Sequence, residues 1–177
     1  MTIPNNEVYD RPDRQRRALA TLSSYVTAVV VPVRLASHDR IAWRVSALCL
    51  VLSACRGKSA QTEQLHVLMW AMRDRMNAQR LGYIWEGLEA GHSLRAYEPL
   101  LNDTLRLSEA GGLVVSTATG RWKLTPHGSN LTTKLEEMDV FSEERAFLVR
   151  LGPISTSEMW RRLASARATN SNMAERL

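Results

Sequence analysis

Gly111-Gly112-Leu113-Val114-Val115-Ser116-Thr117-Ala118-Thr119-Gly120-Arg121-Trp122-Lys123-Leu124-Thr125 carries the sharpest local signal in this 177-residue chain. A glycine pair ends a helix, and two short apolar runs then flank a turn of small and polar residues. Residues 113–116 and 121–125 therefore read as two strands around Thr117-Ala118-Thr119-Gly120. In the second strand Trp122 and Leu124 share one face, while Arg121 and Lys123 share the other, as a two-residue period requires.

Upstream of this hairpin, Pro99 suits the first turn of a third helix that runs to Gly111. Residues 41–55 read as the main core helix. Ile41, Val45, Leu48 and Leu52 follow helical spacing, and Ala42, Cys49, Val51 and Cys55 make it apolar nearly all round. Gly57 stops it, and Ser59 is the expected cap of a second helix reaching about Arg80. That helix would bury Leu65, Leu68, Met69, Met72 and Met76, and turn His66, Trp70, Arg73, Asn77 and Arg80 the other way. Residues 82–91 form an insert with a short helix around Trp85. Downstream, a closing helix begins near Ser129 and carries Leu131, Leu135 and Met138.

Three helices, a two-stranded wing and a closing helix come in the order of a winged helix. The expected fold is mostly α with a small β-wing. A winged helix-turn-helix core covers residues 41–140, an N-terminal arm and helix cover 1–40, and a C-terminal helical extension covers 141–177. In the N-terminal part, residues 1–11 read as disordered. A helix from Pro12 or a strand over 26–33 then precedes the stop at Pro32. In the C-terminal part, Ser142 starts a helix with Phe147, Leu148 and Leu151, and Gly152-Pro153 breaks it. Ser155-Thr156-Ser157-Glu158 has capping-box spacing ahead of Met159, Trp160 and Leu163.

An apolar content of 45% and a charged content of 23% are those of an ordinary globular chain. Cys49 and Cys55 lie on different sides of one predicted helix and cannot bridge there, which implies a reduced, cytoplasmic setting. The first 17 residues are polar, and Ala28-Val29-Val30-Val31 is too short to span a bilayer, so neither a secretory signal nor a membrane segment is expected. His38, His66, His92 and His127 stand far apart without ligand-spaced partners, so no metal or cofactor is expected. A phosphate-binding glycine loop is missing, and Ser108-Glu109-Ala110-Gly111 is not a nucleophile elbow. The expectation is a protein that catalyses nothing.

Net charge is +5, and its distribution is more telling than its size. Residues 1–58 carry +5, residues 59–95 carry 0, residues 96–140 carry −2 and residues 141–177 carry +2. A base-reading third helix presents Arg, Lys, Asn or Gln to the major groove. The outward positions of this one are Asn102, Asp103, Arg106 and Glu109, two acids against one base. Acids near phosphates oppose the counterion release that supplies most of the affinity for DNA. An adapter that binds other proteins is therefore the first reading. Its interface candidates are Trp70, Arg73, Asn77, Trp160 and Arg161, since exposed Trp and Arg dominate binding hot spots. The alternative is a winged-helix transcriptional regulator. Arg14, Arg16, Arg17, Arg121 and Lys123 are the candidate contacts to a nucleic-acid backbone, weak and non-specific on the adapter reading.

A resemblance sharpens the first reading. Leu65-His66-Val67-Leu68-Met69-Trp70-Ala71-Met72-Arg73 resembles the second-helix L-H-x-L-x-W-A-x-R of the middle components of bacterial ABC-three-component systems. The run from Glu98-Pro99 through Leu101 and Leu105 to Glu109-Ala110-Gly111-Gly112-Leu113 resembles the same family, as does Trp122-Lys123-Leu124-Thr125-Pro126-His127-Gly128. The last piece is shared by many winged helices. The likeness spans about residues 41–138, and it explains neither the extra Gly111-Gly112 pair nor the arms outside that span. It implies a small non-catalytic subunit of a Lamassu-like anti-phage or anti-plasmid complex. Such a subunit would bridge an SMC-like ATPase and an effector such as a nuclease.

Overall fold

A computed structural model describes residues 40–89, 94 and 96–164. The chain divides into two compact units, Met1–Arg34 and Leu35–Leu177, and everything described lies in the second. The expected arm over 1–40, with Arg14, Arg16 and Arg17, lies outside the described residues apart from Arg40, as does the end of the chain from 165.

Helix α1 (Ile41–Ala54) is the axis of the fold, packing against four other helices. Residues 47–52 are all buried, as the apolar pattern on every side demands. The first turn departs from expectation. Ile41 is 64% exposed because the helix projects past the core there, and Arg44 is buried in place of an apolar residue. A 3₁₀ turn (Arg56–Lys58) follows, with Gly57 at φ +70°. It leads into strand β1 (Ser59–Ala60). Ser59 is thus a strand residue and not a helix cap.

The expected single helix from Ser59 to Arg80 is two: α2 (Thr62–Met72) and α3 (Arg75–Trp85). Asp74 causes the break. It is extended, and its carboxylate accepts the Asn77 backbone N–H at 2.9 Å, capping α3 afresh. The new axis rotates the faces: Leu65, Leu68, Met69 and Met72 are buried as expected, but Met76 is 73% exposed. Trp85 closes α3 and needs no separate insert helix.

Helix α4 (Leu101–Ala110) starts two residues after Pro99, which lies in the preceding turn. Strands β2 (Val114–Ser116) and β3 (Trp122–Leu124) form the expected hairpin. Gly120 at φ +70° supplies the turn residue that a β-carbon would strain. The sheet has a third strand that the sequence reading omitted. Its order is β1-β3-β2, all antiparallel, with Ser59 opposite Lys123 and Val114 opposite Leu124.

Helix α5 (Pro126–Glu137) begins three residues before the expected Ser129. The Thr125 hydroxyl accepts the Gly128 N–H at 3.1 Å and lies 2.7 Å from the Gly112 carbonyl, linking the helix start to the hairpin. Gly128 is obligatory there, since a β-carbon would sit 2.3 Å from the Leu113 carbonyl oxygen. Leu135 is buried, whereas Met138, past the helix end, is exposed. Helix α6 (Ser142–Leu151) and helix α7, over residues 156–164, complete the described chain. Ser155 accepts the Glu158 N–H at 3.2 Å, one half of the expected capping box. Phe147, Leu148, Leu151, Ile154, Met159 and Leu163 join the same buried cluster as α1. Ile154 pairs with Cys55, the Arg56 N–H donating to its carbonyl at 2.8 Å.

The result is a mostly helical fold with a small three-stranded antiparallel sheet at one end. Among the described residues, no helix is long and apolar enough to cross a membrane.

Candidate functional site

The polar face of α2 is covered. Trp70 is half-buried and packs on the core, and its carbonyl accepts the Asn77 side-chain amide at 3.0 Å. Arg73 reaches toward Glu98, 3.9 Å away. Glu98 is 2% exposed, and the buried Arg44 guanidinium lies 3.2 Å from its other oxygen. The Glu98 backbone N–H donates to His66 Nδ1 at 3.2 Å, and the Tyr97 ring stacks on His66 with centroids 4.9 Å apart. The segment before α4 is thus pinned onto α2 by an ion cluster and a ring stack. Trp70, Arg73 and Asn77 come together as expected, but as an internal seam. All three are half-buried, so this face is less open than helical periodicity suggested.

Gln64, fully buried on α2, is satisfied from two sides. Its carbonyl accepts the Thr156 hydroxyl at 2.6 Å, and its amide lies 3.6 Å from Cys55 Sγ. Burial pushes the thiols of Cys49 and Cys55 up to about 12, so both are held as inert protonated side chains.

Helix α4 is the opposite case. Leu101, Thr104, Leu105 and Ser108 are buried, and Asn102, Asp103, Arg106 and Glu109 are exposed as expected. Among these, Glu109 also accepts the Ser116 N–H at 3.3 Å, fastening the helix to β2. Two large apolar residues stand on the open surface as well. Leu100 and Leu107, two helical turns apart, are roughly half exposed, and Val115 of β2 is equally open. The sequence reading passed over these three. Their signal was present: Leu107 falls off the Leu101–Leu105 stripe and has no buried position to fill.

The wing's bases divide. Lys123 is exposed, but Arg121 is half-buried and engaged. Its guanidinium donates to the Ser59 carbonyl at 2.9 Å and to the Thr156 hydroxyl at 3.3 Å, so it clamps β1 and α7 to β3. That geometry removes Arg121 as a free phosphate contact. Exposed Arg56 and Lys58 lie at the same end of the sheet, with Lys58 Nζ 3.1 Å from the Ser129 hydroxyl.

On α7, Trp160 is 40% exposed, while Met159 and Leu163 are buried. Arg161 is exposed but not idle. It donates twice to Glu158, at 2.8 and 2.6 Å, and Arg162 Nε donates to the same carboxylate at 2.6 Å. These two guanidinium groups hold the Glu158 carboxyl down to about 2. Arg162 also covers the Trp85 ring, 4.8 Å from its centroid, and donates to the Trp85 carbonyl.

A groove of about 690 Å³ runs between α3 and α6. Arg73, Arg75 and Arg150 line it together with Asp74, Glu86, Glu143 and Glu144, so its charge nearly cancels. No group of three or more potential metal ligands occurs among the described residues. No family model, curated protein or solved structure matches the chain.

Proposed function

We propose that residues 41–137 form a winged helix and that the chain is a non-catalytic adapter. The support for the fold is topological: β1 lies between the first two helices and pairs with β3, and the β2–β3 hairpin follows α4. Helix α3 is an addition between the second helix and α4.

The observation that carries the adapter reading is the open face of α4. Leu100 and Leu107 on this helix and Val115 on β2, which packs against it, are large apolar residues left exposed, with Asp103 and Glu109 exposed on the same helix and Arg106 as its single base. Apolar residues flanked by acids suit a polypeptide partner and oppose a phosphate backbone. The sequence likeness described above extends this reading to a subunit of a prokaryotic anti-phage or anti-plasmid complex, held between an SMC-like ATPase and an effector.

Co-purification with the products of the neighbouring genes tests it. Leu107→Glu and Val115→Glu leave the far-UV spectrum unchanged and weaken assembly by about 2 kcal/mol or more, the size of a binding hot spot. Assembly untouched by both variants overturns the α4 interface.

A second reading, a DNA-binding regulator, draws on Arg56, Lys58 and Lys123 at one end of the sheet. It requires selective binding to the chain's own promoter, with affinity falling steeply as salt rises. A gel shift against competitor DNA separates the two.

A further inference from the structure

Only Met138-Asp139-Val140-Phe141 join α5 to α6, and the backbone of this turn is strained. Asp139 stands at φ +49° and Phe141 at φ +60°, in the left-handed region that favours glycine. An aspartate tolerates that conformation, but a bulky aromatic does not. Phe141 also takes the cap position of α6, where its side chain has no oxygen to accept a helix N–H. Such a turn persists only where neighbouring contacts hold it. Here the Phe141 ring packs on Trp43 of α1, with centroids 5.9 Å apart. Arg145, on the first turn of α6, donates to the Asp139 carboxylate at 2.7 Å and to the Val140 carbonyl at 3.2 Å.

The turn residues themselves do not forbid a helix, since none is glycine or proline. Straightened through them, α5 and α6 become one helix over residues 126–151. At the helical repeat, the buried residues of α5 (Thr132, Leu135) and those of α6 (Phe147, Leu148, Leu151) then lie about 140° apart around its axis. In that helix α6 faces away from the core on which α5 rests. A second copy of the chain, lying on the far side, supplies the surface that α6 and α7 are built to cover.

We propose that the chain forms a two-fold dimer by exchanging α6 and α7, with residues 138–141 as the hinge. Every contact of the exchanged helices is remade with the partner copy: Ile154 beside Cys55, and Thr156 between Gln64 and Arg121. The net gain is the relief of two left-handed turns, and strained short hinges favour exchange for that reason. Hinge residues lie nearest the two-fold axis, so Met138, 69% exposed in the single chain, is covered there by its own copy. The Arg145 clasp opposes exchange, because straightening the turn breaks both of its hydrogen bonds. The proposal goes beyond the adapter reading and does not rest on it. It places two copies of the α4 face in one particle.

The test uses the full chain. Size-exclusion chromatography with light scattering gives a dimer whose fraction rises with concentration and which exchanges slowly with monomer, since α6 and α7 must unpack first. In a sample refolded from equal parts of ¹³C-labelled and unlabelled chain, isotope-filtered NOEs run between Ile154 of one chain and Cys55 of the other. Phe141→Ala and Phe141→Gly both lose the ring, and only glycine frees the left-handed backbone. The alanine variant therefore dimerises with a Kd about a hundredfold lower than that of the glycine variant, tenfold for each hinge. Arg145→Ala removes the clasp and tightens the dimer relative to the parent chain. Three results overturn the proposal: a chain that stays monomeric at every concentration and after refolding, Ile154–Cys55 NOEs confined to single chains, or equal dimerisation of the alanine and glycine variants. A dimer dissolved by Leu107→Glu overturns it as well, because that dimer is built on the α4 face.

Discussion

Helices α2 and α4 are nearly equal in length, eleven and ten residues, yet they meet solvent in opposite ways. On α2 the apolar face lies on α1, and the polar face lies under Glu98, Tyr97 and α7. On α4 one side is buried and the other is bare, although it carries Leu107. The composition of a helix face therefore does not tell whether that face is open. The α2 face looked like a binding surface because it held Trp70 and Arg73, and in the fold both are half-buried, Trp70 against the core and Arg73 beside Glu98. The α4 face looked like an ordinary solvated side, and it keeps apolar residues exposed at a cost in solubility that a partner would offset.

The largest expected effect comes from the buried side of α2. Leu68→Ala, at a site with no exposure, lowers stability by about 3–5 kcal/mol in a denaturant titration. Glu98→Ala follows, at about 3 kcal/mol, because it leaves the buried Arg44 guanidinium without the carboxylate beside it. A cost below about 1 kcal/mol would mean that the seam is not part of the core, and the contrast between the two helices would weaken. Trp70→Ala costs about 2 kcal/mol, intermediate because the ring is only half-buried. Loss of partner binding without loss of stability in this variant would restore Trp70 to the interface. Asp74→Ala removes the cap that separates α2 from α3 and costs about 1 kcal/mol, read from the same titration. Smallest is Leu107→Ala on the open face, within about 0.5 kcal/mol of the parent in stability. Under the proposed adapter function, its effect falls on assembly instead.

One pH effect follows from α7. The hydrogen bonds from Arg161 and Arg162 depress the Glu158 carboxyl below its ordinary value near 4.3, to about 2. A group depressed on folding stabilises the fold above its unfolded pKa. That contribution is therefore complete above about pH 4.5 and is lost as pH falls toward 2. An NMR titration of the Glu158 carboxyl returns to the ordinary range in Arg161→Ala/Arg162→Ala.

The core helices, the hairpin and the outward residues of α4 were legible because each is specified locally, by periodicity or by turn residues. Strand β1 was not, since two residues carry no period and Ser59-Ala60 becomes a strand only by meeting β3, more than sixty positions away. The end of α2 had a signal that was overlooked, Asp74 three residues ahead of Asn77. The packing of α7 on α2 could not have been read at all. It joins Gln64 to Thr156 and Arg121 to Thr156, residues far apart in the described chain.

By itself the order of residues determined where most helices and turns form and that the outer side of α4 carries two acids, Asp103 and Glu109, against one base, Arg106. These depend on spacing and charge within a few turns of chain. Only the tertiary structure decided how much of the polar side of α2 is covered, that Arg121 is a clamp, and that Ser59-Ala60 is a strand. Such outcomes depend on contacts such as Gln64 with Thr156, 92 positions apart, whose desolvation and pairing no local pattern encodes.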